Sequence, residues 1–233
     1  MLLGSYQLLL EDPSSFMRLA VLVAFALVTA VTVHEFSHAL VATGLGDSTA
    51  RRLGRLSLNP SRHLDPTGTA MMFVAGFGWG KPVPVNQDRL SHGHTGMGLV
   101  AAAGPLSNLI VAFLLALPIK MGLVEWSGPA LNRVAYVMTG GIQEGLADII
   151  GLVIFFNVLL AVFNLIPLAP LDGSKVLAGV LPRDRAIAYA QLERYGPAIL
   201  VGGILLDYVS NLGFLWGVIG PPVRTLMSVA TGY

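Results

Sequence analysis

The sequence contains no cysteine. That excludes disulfides and thiolate metal ligands, so any metal the chain holds must sit on His, Asp or Glu. Charge is nearly as scarce: Asp, Glu, Lys and Arg make up 12% of the 233 residues, about half the share of an ordinary soluble domain. The fourteen basic and thirteen acidic residues leave a net charge of +1, and the two signs are interspersed. No basic patch of the kind that binds nucleic acid is present. The N-terminal MLLGSYQLLLEDPSSF lacks the basic n-region and small-residue cleavage site of a secretory signal, so the first hydrophobic segment is expected to remain in the mature protein. There are no internal repeats and no low-complexity tracts.

What the chain does have is apolar length. Hydrophobic residues make up 54% and the mean hydropathy is +0.71, values that point to an integral membrane protein. Apolar runs recur at about 16–42, 97–119 and 147–168, each near the ~20 residues a bilayer helix requires. A less clean fourth run falls at about 188–207. After a turn at Ser210-Asn211-Leu212-Gly213, residues 214–231 form a last candidate, interrupted by Gly220-Pro221-Pro222, which would span the membrane or lie on its surface. The expected fold is an all-α polytopic membrane protein, a bundle of about four to five transmembrane helices forming a single domain over residues 1–233.

The loops predict orientation, because cytoplasmic loops carry an excess of Lys and Arg. Loops 43–96 and 169–196 together hold ten of the fourteen basic residues. The intervening loop, about 120–146, holds only Lys120 and Arg133. Both basic loops are therefore expected in the cytoplasm and the N-terminus outside. Within the first loop, residues 69–86, TAMMFVAGFGWGKPVPVN, are too short and too rich in Gly and Pro to span. Each proline disfavours helix at the residue before it, so Lys81 to Asn86 should be extended. A β-hairpin or re-entrant segment is expected here, tolerated at membrane depth only where protein or a water-filled cavity surrounds it.

The first run ends in His34-Glu35-Phe36-Ser37-His38, which fits the H-E-x-x-H pattern. On a helix, four residues bring the two imidazoles to one face about a turn apart, as two ligands of one zinc ion require. Glu35 would then reach a water that the metal polarises, and act on its proton. Ionisable side chains at the centre of a membrane helix cost roughly 2.5–3.5 kcal/mol each on insertion scales, so their presence is a functional signal, softened here by a position near the helix end. A catalytic zinc usually takes three protein ligands. The best third candidate is Asp172 in Asn164-Leu165-Ile166-Pro167-Leu168-Ala169-Pro170-Leu171-Asp172-Gly173, where two prolines should break a spanning helix and aim the acid into the bundle. The alternative is that Asp172 caps a helix starting near Ser174.

HEFSH on the first span, together with NLIPLAPLDG on a later one, resembles the site-2 protease family of intramembrane zinc metalloproteases. The resemblance extends through GRLSLNPSRHLDPTGT, GFGWGKPVPVN and AGPLSNLI. It implies a catalytic core over about 16–180, followed by C-terminal helices over about 186–231, with one zinc ion per chain held by His34, His38 and Asp172. It implies Glu35 as general base and Asn164 as a hydrogen-bond donor to the oxyanion; an amide tying one helix to another is the other reading of Asn164. The segment Gly76 to Asn86, with Gly78, Lys81, Val83, Val85 and Asn86, is similar to an edge strand that pairs with an unwound substrate backbone. The expected partners are the lipid bilayer and a transmembrane protein substrate. The expected location is a bacterial or archaeal-type cell membrane, with the active site toward the cytoplasm. The short 120–146 loop and the length of the chain suggest the minimal form, without PDZ or cystathionine-β-synthase-type domains. A second function fits the same residues: a zinc-containing, non-proteolytic binding or assembly factor for membrane proteins, against which the intact base Glu35 argues.

Five further residues carry weaker signals. His92 and His94 could pair on a metal or simply be solvated. His63, between Pro60 and Pro66, reads as a turn-stabilising or interfacial residue, Asn108 as a helix-packing amide that could also face the site, and Asp207 as interfacial.

Overall fold

The computed structural model describes residues 6–75, 78–126, 128 and 142–233. The order of helices is α1 (Tyr6–Glu11), α2 (Pro13–Gly44), α3 (Thr49–Arg52), α4 (Pro66–Ala75), α5 (Gly93–Lys120), α6 (Ile142–Asn164), α7 (Asp172–Val180), α8 (Arg183–Glu193), α9 (Gly196–Ser210) and α10 (Phe214–Thr231). Helix α2 starts where its sequence tells it to. Pro13 takes a first-turn position whose N–H no helix needs, and the Asp12 carboxylate accepts the amides of Ser14 and Ser15, each at 3.1 Å. At 32 residues it exceeds the ~20 of a span, which puts HEFSH in its last third. Helix α6 ends at Asn164, just ahead of Pro167 and Pro170, which cannot continue it.

Among the described residues, α2, α5 and α6 are each long and apolar enough to cross a membrane, and α9 with α10 makes a fourth if the pair is one span broken by 103°. Three spans, or four with the bent pair, is roughly consistent with the four to five expected. Asn211 and Gly213, both at positive φ, make the break, and the Asp207 carboxylate accepts the Phe214 amide across it at 2.7 Å. Gly220-Pro221-Pro222 does not interrupt α10. Tertiary burial outweighs the local preference there, because Ile219, Val223, Met227 and Ala230 pack against Ala112, Ala116 and Ile119 of α5 and against Ile154 and Val158 of α6.

Small residues bring the spanning helices close. Leu19, Leu22, Val23 and Ala26 of α2 pack on Leu152, Val153 and Phe156 of α6, while Ala30, Ala39, Ala42, Ala101, Ala112 and Ala116 are fully or almost fully buried. Helix α7 meets α5 backbone to backbone: a Cβ on Gly179 would stand 2.7 Å from the Gly98 Cα. That approach lays the start of α7, with Asp172, beside α2 and α5.

The expected β-hairpin is not formed. Among the described residues there is no strand, only a single antiparallel bridge between Leu64 and Gly80. Residues 81–86 are extended, but Pro82 and Pro84 have no N–H to donate, so no regular ladder can grow along them. Other contacts hold the segment instead. The Lys81 amide donates to His63 O at 2.7 Å, and the buried Arg55 guanidinium donates to the carbonyls of Arg62, Lys81 and Pro82. Gly76 and Phe77 at the start of the expected segment, and Arg133 in the 120–146 loop, lie outside the described residues.

Candidate metal centre

His34 and His38 are one turn apart on α2, and both are buried. Their rings meet edge to face with centroids 4.6 Å apart. Asp172, the first residue of α7, completes a cluster. Its Oδ2 lies 2.9 Å from His34 Nε2 and 3.3 Å from His38 Nε2, and one ligand atom from each of the three residues lies within 4.8 Å of the others. Asp172 is not acting as a helix cap: Leu171 occupies the N-cap position, and no side chain caps α7.

The far side of each imidazole is committed. His34 Nδ1 lies 2.7 Å from Asn108 Oδ1, and His38 Nδ1 lies 2.7 Å from the Val100 carbonyl. Both partners can only accept, so both Nδ1 atoms carry the hydrogen and each Nε2 is left to the centre. Two imidazole nitrogens and a carboxylate oxygen, with no sulfur, form a donor set that suits zinc in a three-ligand site. The space is shaped for it as well. A Cβ on Gly104 of α5 would stand 2.5 Å from His38 Nε2 and 2.6 Å from His34 Nε2, so only glycine leaves room there.

The centre opens into a cavity of about 450 Å³, which Glu35, Asn164, Gly78, Val83 and Val85 also line. Glu35 faces the extended segment, since a Cβ on Gly80 would be 3.5 Å from Glu35 Oε1. The Asn164 amide donates to Leu160 O of its own helix at 3.0 Å rather than tying α6 to a neighbour. Lys81 and Asn86 do not line the cavity; they moor the ends of the segment. The Asn86 amide donates to Asp47 Oδ2 at 2.6 Å, while its side chain accepts the Asp88 amide. Burial works to raise the pKa of Asp47, but the Thr49 hydroxyl, the Asn86 and Thr49 amides and the Arg89 guanidinium outweigh it and hold this carboxyl below the usual range.

His63 is fully buried, with Nε2 2.6 Å from Ser57 O, and supports the turn rather than the centre. His92 is exposed at the start of α5, and neither it nor His94 joins a three-ligand group among the described residues. Asn108 does face the site, and it also ties helices together. Sequence reasoning missed Asn157, which bonds to it, and it counted Arg55 and Lys175 only as loop charges, although Lys175 lines the cavity. An asparagine inside an apolar run is the only signal that could have pointed to Asn157.

The sequence matches the model of peptidase family M50 over residues 22–205. It is 37% identical over 192 residues to "Putative zinc metalloprotease YwhC" of Bacillus subtilis, covering 82% of each chain. It is 29% identical over 194 residues to "Putative zinc metalloprotease Rip2" of Mycolicibacterium smegmatis, covering 81% of this chain and 68% of that one. It is 27% identical over 220 residues to Rip2 of Mycobacterium tuberculosis, covering 89% and 75%. No solved structure matches. A helix bundle with spanning lengths, a His34, His38 and Asp172 cluster inside it, and a match over most of the sequence agree: the chain belongs to peptidase family M50, the site-2 protease family that its motifs resemble.

Proposed function

We propose that this chain, a zinc metalloprotease by its family, hydrolyses a peptide bond within or beside a transmembrane segment of another membrane protein, near the cytoplasmic face. The observation that carries the reading is the position of the His34, His38 and Asp172 cluster. It sits inside a bundle of spanning helices and opens on a cavity with a segment of extended backbone as one wall.

His34 and His38 would hold the zinc through Nε2 and Asp172 through Oδ2. When bound, zinc supplies Lewis-acid polarisation of a carbonyl and a lowered pKa for water. The remaining work falls to the chain. Glu35, at the cavity wall, accepts a proton from the attacking water at its carboxylate and returns it to the leaving amine. Asn164 spends one amide hydrogen on Leu160 O and has a second to offer a developing oxyanion. A helical peptide bond is shielded by its own hydrogen bonds, so the substrate must be extended before it reacts. Val83 and Val85 on the cavity wall have amides to offer such a strand, and Pro84 between them has none. The cytoplasmic placement rests on the basic loops, which hold ten of fourteen Lys and Arg residues.

The test is to reconstitute the protein in lipid with a single-span substrate and map the new termini by mass spectrometry. Cuts inside or directly beside the apolar segment are expected. Cuts confined to distant soluble flanks would overturn the intramembrane reading.

A further inference from the structure

We propose that Asn157 of α6 is a positioning residue for His34, acting through Asn108, so that backbone carbonyls of α6 and α2 together determine which nitrogen of His34 carries its proton and which faces the metal centre. The inference rests on the metal-holding role of His34 proposed above and extends it to two amides outside the ligand set.

The chain of hydrogen bonds has only one allowed direction. The Val153 carbonyl can only accept, so Asn157 turns Nδ2 toward it, at 2.8 Å. That leaves Asn157 Oδ1 to accept from Asn108 Nδ2, at 2.7 Å. Asn108 Nδ2 gives its other hydrogen to the Ala30 carbonyl at 3.0 Å, and its Oδ1 is left for His34 Nδ1. Two backbone carbonyls on two helices thus set the orientation of both amides, and the second amide sets the proton on His34. Asn108 and Asn157 are 0% exposed and His34 is 5% exposed, so bulk water does not reach the two amides to take the place of a misdirected group. Reversing either amide would set acceptor against acceptor in a dry interior, where an unmade hydrogen bond is most costly. His38 needs no such relay, because the Val100 carbonyl itself fixes it. His34 has no carbonyl at its Nδ1 and receives the same instruction across three helices.

The experiment uses the full chain in detergent or nanodiscs, at one pH, with ¹⁵N-labelled histidine and zinc affinity measured by chelator competition. Metal-free wild type should show His34 Nδ1 protonated. Asn157→Leu should lose that proton from Nδ1 and weaken zinc about 10–100-fold, the usual effect of removing such a support. Asn157→Asp should stay within about threefold of wild type, because a carboxylic acid kept neutral by burial offers the same donor and acceptor. A lower melting temperature in Asn157→Leu, with zinc affinity and the Nδ1 proton unchanged, would reduce the amides to helix ties and overturn the proposal. If Asn157→Leu does not fold, Asn157→Ala is read in its place, and an unprotonated Nδ1 on His34 in the wild type overturns the proposal by itself. Failure of the metal reading would show separately, as zinc binding that His34→Ala and Asp172→Ala leave intact.

Discussion

At the residue scale the centre depends on an absence as much as on its ligands. Gly104 has no Cβ, and a methyl there would stand within 2.6 Å of both Nε2 atoms. Gly104→Ala should therefore weaken zinc by about 5–150-fold, the range that an overpacking penalty of ~1–3 kcal/mol implies. Chelator competition measures this, and an unchanged affinity would mean that the helices can part more easily than their packing indicates. The three residues that the structure gathers into one cluster, and the glutamate at the cavity beside them, were legible in the sequence. His34, Glu35, His38 and Asp172 stand out because charge in oil is expensive, and their motifs fix a spacing that α2 and α7 then realise. Gly104 was not legible in this role, because a glycine in a membrane helix reads as packing until one sees which atoms it faces. Asn108 was half legible for a similar reason: both of its readings hold at once.

At the element scale, the segment from Gly78 to Asn86 is placed by loop contacts rather than by a sheet. Asp47 moors its far end. Because the Asp47 pKa is lowered in the folded protein, its mooring is complete above the ordinary carboxylate value of about 3.9 and is lost as pH falls through the lower folded value. Amide exchange at Asn86 should accordingly stay slow through mildly acidic pH and accelerate only in strong acid. Asp47→Ala should speed it at neutral pH by roughly tenfold or more, the effect of losing one charge-assisted hydrogen bond. Exchange at Asn86 that ignores both changes would show that the segment is held elsewhere, with Arg55 the first alternative. The extended conformation of residues 81–86 was readable from Pro82 and Pro84. The missing hairpin was not, because prolines that disfavour helix signal extension without saying whether a partner strand exists. The continuity of α10 through Pro221 and Pro222 was hidden likewise, since its cause lies in α5 and α6.

At the scale of the whole molecule, the buried surface is lined with small residues and the outer surface is apolar. Val21, Phe25, Leu99, Leu106, Ile110 and Leu114 of α2 and α5 are all exposed, an arrangement that water would penalise and lipid accepts. Ile110→Lys, near the middle of α5, should cost roughly 2.5–3.5 kcal/mol on insertion and lower the fraction resistant to alkaline extraction. Unaltered insertion would argue that this face is not against lipid. The proposed function places the zinc site at the depth where a membrane substrate lies, and it makes peptide hydrolysis there depend on the metal and the Glu35 carboxylate together. The most direct measurement is zinc content and cleavage of a single-span substrate by purified wild type and Glu35→Gln, side by side. Both proteins should hold about one zinc per chain, and the variant should cleave at least ~100-fold more slowly. Equal cleavage by the two, or a wild type that cleaves without zinc, would contradict the account.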